Sequence, residues 1–177
     1  MRGVVFVLAV GLLTGCAAPG TPRASGGRRV QLAVPFFPDG TDQCGPSVMA
    51  SVLEYWGKPA SPAELRKEIY RAQLKGSLTV DLLLAAQERG LTADLGDGSL
   101  IQVKRELDAG RPVIAFLNVG FRAYPIGHYL VITGYDDARQ VLFTHSGLKR
   151  DRKITYRNFD RAWERTERWS LLIQPLS

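Results

Sequence analysis

Residues 44–57 read Cys-Gly-Pro-Ser-Val-Met-Ala-Ser-Val-Leu-Glu-Tyr-Trp-Gly. The apolar residues of this segment recur at helical spacing, as Val48, Met49, Val52, Leu53 and Trp56. This pattern predicts a buried helix. Pro46 suits the first turn, where its missing N–H has no partner, and Gly57 can adopt the left-handed conformation that ends a helix. The helix therefore begins at its cysteine, Cys44.

Outward from this helix, the sequence predicts more helices first and strands afterwards. Ser61-Pro62-Ala63-Glu64 forms a capping box, Thr79 caps a helix ending at Gly90, and Ser99 caps one ending at Gly110. The later β-rich runs are 113–118, 128–135, 141–144, 153–156 and 169–174, with a short helix at 158–164 between the last two. The fold class is therefore α+β, a helical N-terminal lobe packed on an antiparallel sheet.

Cys44 lies where a thiol is readily activated as a nucleophile. Backbone N–H groups and the macrodipole at a helix N-terminus favour the thiolate. Gly45 leaves the space above the thiol open, and the Cys44 N–H can point at a developing oxyanion. The alternative is that Cys44 is a small buried apolar residue, which is common for free cysteines.

The sequence contains two histidines, His128 and His145, so the base for this thiol has few candidates. If residues 136–140 turn the chain back, pairing Gly134 with Arg139 brings His128 opposite His145. A residue that orients the base belongs at that neighbouring strand end, so His145 is the candidate, with Ser146 or Thr144 as alternatives. Either histidine could instead be structural.

Asp136 and Asp137 are acids near the same strand, but they are turn residues. An extended strand rises ~3.3 Å per residue, so eight or nine residues separate them from His128 by roughly 25 Å. They are therefore too distant to orient the base.

The N-terminus carries export signals. Residues 1–15 combine Arg2 with an apolar run too short to span a bilayer, as in a signal peptide. Leu13-Thr14-Gly15-Cys16 resembles the lipobox of bacterial lipoproteins, so we expect Cys16 to be lipidated and to anchor the chain to a membrane. Residues 16–30 then form a flexible tether, and residues 31–177 the folded domain. An ordinary signal peptide or an uncut anchor is the alternative.

The second cysteine and the compartment bear on function. Ala17, rather than Asp, favours the periplasmic face of the outer membrane in a Gram-negative host. Cys44 is then a single thiol in an oxidising compartment, where thiols usually pair, and its retention needs a reason. Nucleic acid is excluded as a partner outside the cytoplasm.

Composition limits the chain to one globular domain, since 177 residues are 45% hydrophobic and 23% charged. The net charge is +6. Many cations come late in the chain, at Lys149, Arg150, Arg152, Lys153, Arg157, Arg161, Arg165 and Arg168. They form either a solvated amphipathic face or a surface for anionic lipid headgroups or an acidic substrate.

Two motifs resemble a known family. Asp-Gln-Cys-Gly-Pro-Ser at 42–47 and Gly-His-Tyr-Leu-Val-Ile-Thr-Gly-Tyr-Asp at 127–136 are similar to the signatures of bacteriocin-processing, double-glycine-type peptidases. The similarity extends from about Gln31 to Gly147. It implies a papain-like fold, Cys44 as nucleophile, His128 as base, cleavage through a thioester, and no metal or organic cofactor.

Two positions depart from that family. Its oxyanion-hole glutamine precedes the cysteine by five or six residues, where this chain has Asp39 and Pro38, and its third catalytic residue, usually Asp, falls near His145. A carboxylate at Asp39 would repel an oxyanion, and losing one oxyanion donor costs roughly 10²- to 10³-fold in rate. Gln43 is the substitute donor that the sequence offers.

These observations lead to three hypotheses. The first is a lipid-anchored cysteine peptidase that cleaves a peptide or protein. The second is a catalytically weakened module that binds a peptide or an envelope partner in the cleft where a peptidase would bind its substrate. The third is an amidase that acts on peptidoglycan stem peptides with the same pair of residues.

Overall fold

A computed structural model describes residues 27–40, 42–121 and 123–176 of the chain. Strands β1 to β7 are Arg29–Gln31, Leu91–Asp97, Val113–Asn118, Gly127–Asp136, Val141–Ser146, Lys149–Thr155 and Trp169–Pro175. Helices α1 to α5 are Cys44–Tyr55, Pro62–Ile69, Thr79–Gln87, Leu100–Asp108 and Tyr156–Glu164, and Ala72–Leu74 is a 3-10 turn. The predicted signal peptide, Cys16 and most of the predicted tether lie outside the described residues.

One seven-stranded antiparallel sheet organises the domain. Its strand order is β2-β7-β3-β4-β5-β6, and β1 pairs with β4. Strand β3 pairs with β4 from Gly127 to Ile132, and β1 pairs with β4 from Gly134 to Asp136. Residues 29 and 30, which the sequence placed in the tether, are therefore part of the sheet.

Helices cover both faces of the sheet. On one face α1 is buried along most of its length, and Met49 and Leu53 pack in the same core as Val131 and Leu171. On the other face α4 and α5 pack through residues such as Val103 and Trp163. The α+β architecture is as predicted, although the helical lobe on the first face comprises only α1 to α3. Among the described residues, no helix has the length and hydrophobicity that crossing a bilayer requires.

Local helix signals were correct in two of three cases. The Ser61–Glu64 capping box forms, and the Ser99 hydroxyl accepts a hydrogen bond from the Gln102 N–H. Thr79, predicted as a cap, is instead the first residue of α3. The residue before it, Leu78, is extended, and its carbonyl accepts from the Asp81 N–H, so the backbone itself begins this helix.

The predicted hairpin register between β4 and β5 is wrong. Asp136 pairs with Val141, and beyond a bulge Val131, not His128, pairs with His145. The turn causes the shift, because Asp136 and Val141 flank residues 137–140, with Gln140 in the left-handed region at φ 53°. The bulge at Thr133 adds a residue to β4 and moves the pairing one residue back toward the predicted register. The predicted contact between the two histidines is therefore absent.

Candidate active site

Cys44 is the first residue of α1, and it is half-buried. Burial raises the pKa of its thiol, and the negative charge of Asp39 raises it further. The backbone N–H groups of Tyr129, Gly45 and Cys44 itself lower this pKa, but burial prevails. The thiol is therefore protonated at neutral pH before a substrate binds, and it needs a base.

Gly45 allows α1 to begin close to a neighbouring segment. A Cβ at this position would lie 2.5 Å from the Ser77 hydroxyl oxygen and 2.8 Å from the Ser77 Cβ. This hydroxyl is also the only buried side-chain polar atom of the described residues without a hydrogen-bond partner. A side chain at position 45 would force Ser77 to move, which explains the glycine after Cys44.

His128 lies at the start of β4, beside the residue whose N–H contacts the Cys44 thiol. Its Nε2 is 2.9 Å from the Ser146 hydroxyl, so Nδ1 is the ring nitrogen that this contact leaves available. Burial lowers the pKa of His128, and Arg152 lowers it as well, while Asp39 raises it. The imidazole is therefore neutral at neutral pH and able to accept a proton.

His145, predicted to orient the base, has a different environment. Its Nε2 donates to the Val34 carbonyl at 2.9 Å, and its Nδ1 accepts from the Asp151 N–H at 3.3 Å. Its ring packs edge-on against Phe36, with 5.2 Å between the centroids. Both ring nitrogens are thus engaged by backbone groups, and Ser146, one of the two alternatives, is the residue that contacts His128.

The two candidate oxyanion residues lie near the thiol. Asp39 is only 8% exposed, and its N–H donates to the Gly147 carbonyl at 2.9 Å. Together with Cys44 and Ser146, it lines a cavity of about 10 Å³. Gln43 directly precedes α1, and its carbonyl accepts from the Ser47 N–H. Asp39 is therefore inside the site, and its charge acts on both Cys44 and His128.

The comparison with protein families identifies the chain. Residues 28–171 match the model of the Peptidase_C39 like family, which is most of the 177 residues. The chain belongs to this family. Comparison with curated proteins found no match. The sequence resemblance and the peptidase fold it implied are confirmed.

Solved structures show the same C39-like fold. A protein from Bacillus anthracis that is described as a C39-like peptidase is 19% identical to this chain. The TM-score is 0.66, and the match covers 85% of this chain and 99% of that one. A double glycine motif protease from an AMS/PCAT transporter, solved with its leader peptide, is 22% identical, with a TM-score of 0.65 over 83% and 95%. The peptidase domain of Streptococcus ComA is 24% identical, with a TM-score of 0.64 over 83% and 99%.

In this C39-like protein, an open cleft of about 710 Å³ extends from Cys44 and His128. Its walls are mainly apolar. They include Leu74 and Leu78, which precede α3, and Phe116, Pro125, Ile126 and Tyr129, which lie in β3, β4 and the loop between them. Leu74 and Ile126 are each 59% exposed, which is costly for apolar side chains unless something covers them. The cleft is therefore suited to an extended chain with apolar side groups.

The apolar walls of this cleft were not predicted from the sequence. Leu74 and Leu78 lie in the connection between α2 and α3, and Pro125 and Ile126 in the one between β3 and β4, outside the periodic segments of the sequence. Large apolar residues in loops flanked by glycine, such as Leu74 before Gly76 and Ile126 before Gly127, were the available signal. In the described part of the chain, no group of three or more His, Cys, Asp or Glu side chains is placed to hold a metal ion.

Proposed function

We propose that this protein is a cysteine peptidase of the cell envelope, which cleaves a peptide or protein with Cys44 as nucleophile and His128 as base. One observation carries the proposal. A thiol at the N-terminus of a buried helix and an imidazole held by Ser146 line the same open cleft. Membership of a peptidase family supports the same reaction class.

The chemistry follows from the protonation states at rest. With Nε2–H donating to Ser146, His128 Nδ1 accepts the Cys44 proton as the sulfur attacks the substrate carbonyl. The imidazolium then gives that proton to the leaving amine, and a thioester remains on Cys44. Water, deprotonated by His128, attacks the thioester, releases the acid and restores the thiol. The helix N-terminus and the Cys44 N–H favour the negative charge that develops.

The apolar cleft supports a peptide as the substrate class. A structurally similar protease was solved in complex with a leader peptide. In this chain, an extended peptide in the cleft would cover the exposed side chains of Leu74, Leu78 and Ile126 and so gain the free energy of their burial. That gain would hold the scissile bond beside the thiol.

The proposed location rests on the N-terminal sequence. A lipid on Cys16 would attach the domain to a membrane, on the periplasmic face of the outer membrane in a Gram-negative host. The substrate would then be a protein or peptide of the envelope. Metabolic labelling with an alkyne fatty acid tests this step, with Cys16→Ala as the control that should lose the label.

A binding module is the second candidate, and two features of the site favour it. Burial raises the pKa of Cys44, which reduces the thiolate population, and Ser146 stands where a carboxylate would stabilise the imidazolium. The cleft would remain available to a peptide in such a protein. Cys44→Ala would then leave peptide affinity and cellular role unchanged.

Peptide cleavage by the full chain distinguishes these candidates. We would incubate it with a peptide library that includes peptidoglycan stem peptides and identify new termini by mass spectrometry. The peptidase proposal predicts products that vanish in Cys44→Ala and fall about 10²- to 10⁴-fold in His128→Ala. Binding without products supports the module, and products confined to stem peptides support the amidase.

A further inference from the structure

The end of β5 supplies no carboxylate to the base. Residues 144–146 are Thr, His and Ser, and the group that contacts His128 is the neutral Ser146 hydroxyl. During turnover His128 becomes an imidazolium, which a nearby negative charge stabilises. The site therefore lacks an acid at the expected place although its mechanism benefits from one.

Asp39 is a buried acid that lines the same cavity as Ser146. Its N–H donates to the Gly147 carbonyl at 2.9 Å, which fixes the loop before α1 against the residue that follows Ser146. Its neighbour Gly40 lies next to the Leu148 side chain. Asp39, Ser146 and Cys44 line one small cavity. The loop that carries the carboxylate is thus anchored to the residues that follow Ser146, and Ser146 in turn contacts His128.

We propose that Asp39 is a positioning residue for the reaction, and that it supplies from the loop before α1 the negative charge that stabilises the His128 imidazolium while Ser146 orients the ring. This inference rests on the proposed peptidase function. It gives a role to an acid that stands at the family's glutamine position, where a purely repulsive carboxylate would only slow the reaction.

Asp39 has opposite effects on the two members of the pair. Its charge favours the imidazolium of His128 and disfavours the thiolate of Cys44, so it raises the pKa of both groups. Arg152 is the charged side chain that acts against it at His128. Neutralising Asp39 should therefore lower both pKa values. The thiol would ionise more readily, and the base would hold its proton less well.

Asp39→Asn separates these consequences. We expect peptide cleavage to fall roughly tenfold or more, because the imidazolium loses its counter-charge. We also expect Cys44 in the same variant to react faster with iodoacetamide at pH 7.5, because more thiolate is present. Asp94→Asn is the matched control, since Asp94 is exposed on β2, three strands away from β4, and should change neither rate.

NMR measures the histidine pKa values independently of turnover. The ring protons of two histidines are resolved and titrated in the wild type, Asp39→Asn and the control. The proposal predicts a lower His128 pKa in Asp39→Asn and an unchanged His145. An unchanged His128 pKa overturns it, as does cleavage by Asp39→Asn or Asp39→Gln at or above the wild-type rate.

A double variant that moves the carboxylate to β5 tests whether the charge of Asp39 is what the reaction needs. In Asp39→Asn/Ser146→Asp the carboxylate comes from β5, and we expect cleavage to recover at least a few-fold over Asp39→Asn alone. If Asp39 only held the loop in place, the second substitution would restore nothing, and that result would contradict the inference. Loss of the proposed function itself has a different signature, namely cleavage by the wild type that persists in Cys44→Ala.

Discussion

The hydrogen bond between Ser146 and His128 allows a quantitative prediction. Ser146 is buried, and its hydroxyl lies 2.9 Å from His128 Nε2, so Ser146→Ala removes the group that orients the ring. A hydrogen bond of this kind contributes about 0.5–1.5 kcal/mol. Since about 1.4 kcal/mol corresponds to a tenfold change in rate, kcat/KM should fall roughly two- to tenfold.

The assay is cleavage of the best peptide from the library, with thermal unfolding measured in parallel. Ser170→Ala is the matched control, because Ser170 is also buried, its hydroxyl donates to the Gly96 carbonyl at 3.1 Å, and it lies on β7, three strands away from β5. Both variants should lose a similar amount of stability, but only Ser146→Ala should lose activity. Equal kcat/KM in Ser146→Ala and the wild type would refute the orienting role.

Three further predictions concern the cleft, the nucleophile and the base. Gly45→Ala should lower the free energy of unfolding by about 1–3 kcal/mol, because its Cβ meets Ser77, and thermal denaturation measures this. The acid limb of kcat/KM against pH should lie below the ordinary histidine pKa of about 6.5, because burial lowers the pKa of His128; a midpoint above 7 would contradict this. Ile126→Asp should raise KM several-fold, because it places a charge in the apolar wall of the cleft. Ile101→Asp should leave KM unchanged, because Ile101 lies on the exposed face of α4, outside the cleft.

The elements with clear periodicity could be predicted from the sequence. Helix α1 and strand β3 were placed nearly to the residue, because α1 is buried along most of its length and β3 is buried on both faces of the sheet. Strand β2 was missed because it lies at the edge of the sheet and exposes most of its second half, so its pattern is weak. The first half of β6, at the opposite edge, was also missed, because its charged and mostly exposed residues give no alternating pattern.

The site was only partly predictable. Cys44 and His128 stand in local motifs that specify their surroundings, and the structure brings both to one cleft. The choice between His145 and Ser146 depended on the register of β4 and β5, which the four-residue turn sets differently from the predicted turn. This turn has no strong local signature. The position of Asp39 beside Ser146 depends on a contact between two loops that are distant in sequence.

Pre-steady-state kinetics with an activated peptide ester tests directly whether His128 takes the proton of Cys44. We predict a burst of leaving group stoichiometric with the chain, an acyl group on Cys44 in the intact mass, and a burst at least about a hundredfold slower in His128→Ala. A burst at the wild-type rate in His128→Ala, or an acyl group on any other residue, would contradict it.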